Sequence, residues 1–182
     1  MKCEELEKFK EPLYLISYDN KNREYVCEYE NRFINFDKAK GLLRKSNVGK
    51  TPDCFYIDED KKEIWFIEIK SSQEKNLKNL QMKIELKKKL FAGLIIFYEL
   101  CCLQSCLYKD YKKYYFIIYD KNYNSFEDEV IDNFAVNSIR DIEFGLEDLK
   151  PQFVNEIFTE NCEYFTELFS IRFGIDFMKR EI

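Results

Sequence analysis

Apolar and polar positions alternate most cleanly in the middle of the chain. Asp53 to Ile57 and Ile64 to Lys70 are two β-type runs, separated by Asp58-Glu59-Asp60-Lys61-Lys62-Glu63, a charged connector of hairpin size. A period of two places Asp53, Phe55 and Ile57 on one face of the first strand. On the second it groups Ile64, Phe66, Glu68 and Lys70, with Trp65, Ile67 and Ile69 opposite. Two carboxylates and a lysine thus share faces otherwise built for a core.

The flanking patterns are coarser. Leu13 to Tyr18 is a short apolar run that predicts a strand, followed by a turn at Asp19-Asn20-Lys21-Asn22. From about Arg23 to Phe36, residues Tyr25, Val26, Tyr29, Phe33 and Phe36 fall on one side at helical spacing and predict a helix. Glu30 lies at the edge of that apolar face and Glu28 points away from it. Gly41 to Lys45 reads as a short strand and Ser46 to Thr51 as a loop. Asn76 to about Leu100 predicts a long helix with Leu77, Leu80 and Ile84 inward, although Leu94 to Tyr98 suits a strand equally well. Tyr114 to Tyr119 predicts a strand, and the chain from Ser125 onward reads as helical. The expected fold is one α/β domain. Residues 1–121 form its core, and residues 122–182 an acidic, mostly helical extension packed on the same domain.

Composition narrows the chemistry. There are no histidines, so Ser-His-Asp, Cys-His and histidine general-base catalysis are excluded. Carboxylates, lysine, tyrosine, cysteine or a bound metal must carry any reaction. The seven cysteines are odd in number, irregularly spaced and lack a CxxC pair, which predicts buried thiols rather than a disulfide framework or a zinc site. No apolar run reaches the ~20 residues of a helical membrane span, and the charged start Met1-Lys2-Cys3-Glu4-Glu5 lacks a signal-peptide centre. These features predict a cytoplasmic protein with no membrane partner.

Charge divides the chain unequally. Residues 122–182 hold 14 acidic and 5 basic side chains, net −9; residues 1–121 hold 20 and 24, net +4. Two basic clusters flank the hairpin: Lys38, Lys40, Arg44, Lys45 and Lys50 before it, and Lys75, Lys78, Lys83, Lys87, Lys88 and Lys89 after it. A Lys-rich helix face commonly does no more than keep a helix solvated. Clusters on both sides of an acidic motif also suit phosphate contacts.

Pro52-Asp53, fourteen intervening residues, then Glu68-Ile69-Lys70 resembles the signature of the PD-(D/E)xK nuclease superfamily. The resemblance covers roughly residues 23–120. It implies a restriction-endonuclease-like core, a mixed central sheet flanked by helices, similar to that of the Holliday-junction resolvases, and Mg²⁺ or Mn²⁺ as cofactor. Asp53 and Glu68 would be metal ligands, with the Ile69 carbonyl as a further one, and Lys70 would orient or help deprotonate the attacking water and offset phosphate charge. Glu30 is the candidate third acid, with Asp37 and Glu28 as rivals. Gln81 or Lys83 would approach from the next helix, and Ser46, Lys50, Lys83 and Lys87 would contact nucleic acid. Asp/Glu-x-Lys also occurs at Glu85-Leu86-Lys87, Asp110-Tyr111-Lys112 and Asp148-Leu149-Lys150, but only Glu68 to Lys70 ends a β run paired with a Pro-Asp. The expected function is a metal-dependent endonuclease acting on DNA, with RNA as the alternative substrate and room for a homodimer. The rival expectation is a nuclease-like fold that binds nucleic acid or protein without cutting. The plainer alternative is that Asp53 and Glu68 are strand-end polar groups neutralised by Lys70.

Overall fold

The computed structural model describes residues 4–43, 49–71, 80–103, 108, 110–119 and 145–180. A one-turn helix α1 (Glu4–Glu7) leads into β1 (Lys10–Pro12), the short α2 (Leu13–Ile16), a small hairpin of β2 (Tyr18–Asp19) and β3 (Glu24–Tyr25), then β4 (Arg32–Asn35) and α3 (Phe36–Ala39). There follow β5 (Cys54–Asp58), β6 (Glu63–Lys70), the long α4 (Leu80–Leu103), β7 (Lys112–Tyr119), β8 (Glu156–Glu160) and α5 (Cys162–Phe173).

Six of these strands form one mixed sheet in the order β1-β4-β5-β6-β7-β8. The pairs from β1 to β6 are antiparallel, whereas β6–β7 and β7–β8 are parallel. The β5–β6 hairpin and its facing residues are as the alternation predicts: Cys54 opposes Ile67 and Phe55 opposes Phe66. Ile64 and Phe66 pack with Leu86, Leu90 and Phe97 of α4. Trp65 and Ile67 pack on the other side with Phe165 and Phe169 of α5. A mixed sheet between helices is the architecture expected.

Several expectations are corrected. The segment Arg23 to Phe36 is not a helix; it supplies β3 and β4, and its backbone is spoken for by distant chain. Tyr14 N–H donates to the Tyr29 carbonyl, Glu30 N–H to Met178, and Tyr29 bridges to Lys179. Such non-local pairing overrides helical spacing. Leu13 to Ile16 is a helical turn rather than strand, and Lys40–Leu42 a 3-10 turn rather than strand. Leu94 to Tyr98 is helical, within α4. Leu80 and Ile84 of α4 are exposed, because the inward stripe begins at Leu86; Leu77 lies outside the described residues. Within the region read as helical from Ser125 onward, Glu156–Glu160 is β8, a strand of the central sheet.

Cys27 and Cys162 form a disulfide across 135 residues, tying the approach to β4 to the start of α5. This corrects the expectation of free thiols for those two and is at odds with the reducing cytoplasm. Cys54 and Cys101 are buried and Cys102 is exposed, all three outside that disulfide; Cys3 and Cys106 lie outside the described residues. Among the described residues no helix is long and apolar enough to cross a membrane.

Candidate active site

Pro52 and Gly93 set the position of Asp53. A Cβ on Gly93 would lie 2.7 Å from Pro52 Cδ, so only glycine lets α4 approach the start of β5 this closely. The Asp53 carbonyl accepts from Phe36 N–H at 3.1 Å, and its Oδ2 accepts from Ile69 N–H at 2.6 Å. The aspartate is therefore fixed at both ends. In an extended strand the amide and carbonyl of one residue leave the same edge, so the Ile69 carbonyl projects on the side of β6 that carries Asp53.

Glu68 is fully buried on β6, facing α4. Its Oε1 accepts from Lys89 Nζ at 2.5 Å and lies 3.0 Å from Lys70 Nζ. Its Oε2 is buried with no hydrogen-bond partner among the described residues. Lys70 Nζ also reaches Glu85 Oε1 at 3.0 Å, and Lys89 Nζ lies 4.0 Å from Asp53 Oδ1. Three carboxylates and two ammonium groups thus meet at the end of the hairpin under α4. A buried carboxylate oxygen without a donor is costly, and such costs concentrate at functional sites.

The electrostatics assign different states to these groups. Burial, then the neighbouring Glu68, push the Asp53 carboxyl up to about 7, against the pull of Lys89, the Ile69 amide and Lys70. Its side chain keeps 31% exposure, so solvent tempers the burial contribution. Burial favours neutral Lys70, but Glu68 and Glu85 outweigh it and hold the ammonium above its ordinary value. The hydrogen bond from Lys70 holds the Glu85 carboxyl low. The charged form of Lys70 is thus favoured beside these carboxylates, which suits charge compensation.

A cavity of about 300 Å³ opens beside Asp53 and Lys70, walled by Tyr18, Asp19, Val26 and Ser71. Asp19 accepts from the Ser71 hydroxyl and from Lys21 N–H at 2.8 Å; these bonds, Ser71 first, hold its carboxyl low. It is the acid that the N-terminal region brings to this cavity.

The other expected residues are placed as follows. Glu30 is exposed and not on a helix, so no helix edge aims it at the site. Glu28 is exposed as well, and Asp37 pairs with Lys40. Gln81 is exposed. Lys83 lies against Gly145, where a Cβ would meet its Nζ at 2.7 Å, and Lys87 is ion-paired to Asp148. Both side chains are thus engaged by the C-terminal third. Lys50 is exposed and contributes to the positive field that lowers Glu85. Lys38 pairs with Glu11, while Ser46, Arg44 and Lys45 lie outside the described residues. Lys87, Lys88 and Lys89 do not form one face: Lys87 reaches Asp148, Lys88 is exposed and Lys89 is buried at the carboxylates.

Sequence reasoning missed Lys89 as a site residue and treated Glu85 only as a chance motif match. A signal existed. Lys89 falls three residues after Leu86 and four before Gly93, inside the apolar stripe of α4, and Glu85 precedes it by one turn.

Among the described residues no group of three His, Cys, Asp or Glu side chains is arranged to hold a metal. Asp53 and Glu68 supply two carboxylates, one with an unpartnered buried oxygen. That donor set fits Mg²⁺, which takes one or two carboxylates and completes its shell with water and phosphate oxygens. Comparison of the chain with protein-family models, with curated proteins and with solved structures found no match.

Proposed function

We propose that the chain is a metal-dependent nuclease of the PD-(D/E)xK type, hydrolysing phosphodiester bonds in DNA with Mg²⁺ or Mn²⁺. The observation that supports this best is the convergence of Asp53, Glu68 and Lys70, with Glu68 wholly buried and one of its oxygens without a donor. Asp53 and Glu68 would hold the metal, with the Ile69 carbonyl on the same edge. A metal held there would supply an activated water and stabilisation of the leaving oxygen. Lys70, kept protonated, would offset the charge of the scissile phosphate from the cavity side. Asp19 faces the same cavity and replaces Glu30 as the candidate third acid.

A second reading has a specific observation in its favour. Lys89 stands 2.5 Å from Glu68 and 4.0 Å from Asp53, as a cation already serving the carboxylates. That arrangement suits a nuclease-like fold that binds nucleic acid without cutting it.

One experiment separates the two. Linear, nicked, single-stranded and branched DNA, and RNA, are incubated with the protein in Mg²⁺, in Mn²⁺ and in chelator. Metal-dependent cleavage of at least one substrate supports the nuclease. Binding without cleavage of any substrate supports the second reading, and neither binding nor cleavage removes both.

A further inference from the structure

The ion pairs of the site are arranged unequally around Glu68. Its Oε1 is shared by two ammonium groups, from Lys70 at 3.0 Å and Lys89 at 2.5 Å, whereas its Oε2 has no partner among the described residues. Lys70 belongs to the same strand and has Glu85 as a second anchor. Lys89 comes from α4 and leans toward Asp53, its Nζ 4.0 Å from Oδ1. Among the described residues it is the one cation within 4.0 Å of both Asp53 and Glu68.

A charge buried this deeply persists only where it is compensated. With Lys89 in place the pair of carboxylates is compensated without a metal. A divalent ion drawn to the same oxygens would face the Lys89 ammonium at a few ångströms, where like charges repel strongly in a site screened from water. A metal taking the free Oε2 would still stand about a carboxylate's width from the ammonium on Oε1, so the two cations oppose each other at Glu68. Lys89 has a long, flexible stem, so its head can move while α4 stays packed.

We propose that Lys89 is the resident counter-cation of this site, exchanged for a divalent metal ion, so that the metal enters only as the ammonium leaves Glu68. This rests on the reading of Asp53 and Glu68 as metal ligands. It assigns Lys89 to the control of metal occupancy rather than to a phosphate-binding face. It further implies that the cluster takes one divalent ion, since Lys70 stays to neutralise part of its acidity.

The test is Mn²⁺ binding to the full chain, followed by paramagnetic resonance of the free ion, with wild type, Lys89→Met and Lys89→Arg. Removing the competing charge is expected to tighten binding on the order of ten-fold in Lys89→Met. Lys89→Arg, which keeps the charge, is expected to bind no more tightly than wild type. If Lys89→Met does not fold even with Mn²⁺, Lys89→Gln, which keeps a donor for Glu68, makes the same comparison. Amine labelling of the wild type, read by mass spectrometry at Lys89, is expected to rise when Mg²⁺ is added.

Binding to Lys89→Met as weak as wild type or weaker, or Lys89 labelling unchanged by a metal that does bind, overturns the exchange and leaves the nuclease reading standing. Binding to Lys89→Met but not to wild type upholds the exchange while removing metal-dependent cleavage from the wild type. No binding to either overturns both.

Discussion

Replacing Asp53 by Asn separates a carboxylate held for chemistry from one held for stability, because the two give opposite signs. The Asn oxygen can still accept the Ile69 amide, which now meets Asp53 Oδ2 at 2.6 Å, so the local hydrogen bond survives. What changes is the charge. Asp53 is pushed up from 3.8 to about 7 by burial and by Glu68, so the folded state takes a proton more readily than the unfolded chain. The stability contributed by that proton is fully present below 3.8 and lost as pH rises to about 7. At about 1.4 kcal/mol per pH unit the loss is roughly 4 kcal/mol at most, and exposure of the side chain reduces it to about 2. Asn suffers no such loss. Urea denaturation in chelator should therefore find Asp53→Asn more stable than wild type by about 2 kcal/mol at pH 8, with the difference shrinking toward zero at pH 4. A variant less stable than wild type at pH 8, or a difference independent of pH, would refute the reasoning and make Asp53 a structural ion-pair partner.

Mn²⁺ affinity of the wild type should rise with pH up to about 7 and level off beyond it, since a proton on Asp53 competes with the metal; a midpoint near 4 would contradict this. Gly93→Ala should gain about 1 kcal/mol of helix propensity but lose roughly 2 through overlap with Pro52, for a net loss in thermal or chemical denaturation. It should also weaken Mn²⁺ binding by displacing Asp53, and a stabilised variant with unchanged binding would remove Gly93 from the positioning of the site. Glu30→Gln should leave metal-dependent cleavage within about two-fold, whereas Asp19→Asn should lower it about ten-fold or more, ~1.4 kcal/mol of barrier; the reverse order would restore Glu30 as the third acid.

How far the sequence foretold this arrangement depended on the range of the interactions involved. The β5–β6 hairpin was legible because local alternation, a hairpin-sized connector and a buried face all agree there, and together period two and the short connector bring Asp53 near Glu68. The segment containing Tyr25, Tyr29 and Phe33 was misread because aromatic residues at helical spacing also serve an extended chain whose partners lie far away. Lys179, Met178 and Cys162 are more than 100 residues distant and leave no local trace. β8 was hidden for a different reason: Glu156-Ile157-Phe158-Thr159-Glu160 sits in an acidic region whose overall charge suggested solvated helix, while Ile157 and Thr159 are buried. In α4 the error was one of phase. Leu80 and Ile84 suggested an inward face, and a lysine inside the true stripe was grouped with a basic face suited to solvent or phosphate.

The central claim is that Asp53, Glu68 and Lys70 form a metal-dependent phosphodiesterase site, and single-turnover cleavage tests it most directly. Wild type, Asp53→Asn, Glu68→Gln and Lys70→Met, each verified as folded, are compared on the substrate that wild type cuts best in Mg²⁺ or Mn²⁺. Wild-type cleavage should stop in chelator, and each substitution should slow the chemical step by at least about 100-fold, ~2.7 kcal/mol of transition-state stabilisation. A folded Asp53→Asn or Glu68→Gln protein that cuts at the wild-type rate, or a wild type that cuts none of the DNA or RNA substrates with either metal, would contradict it.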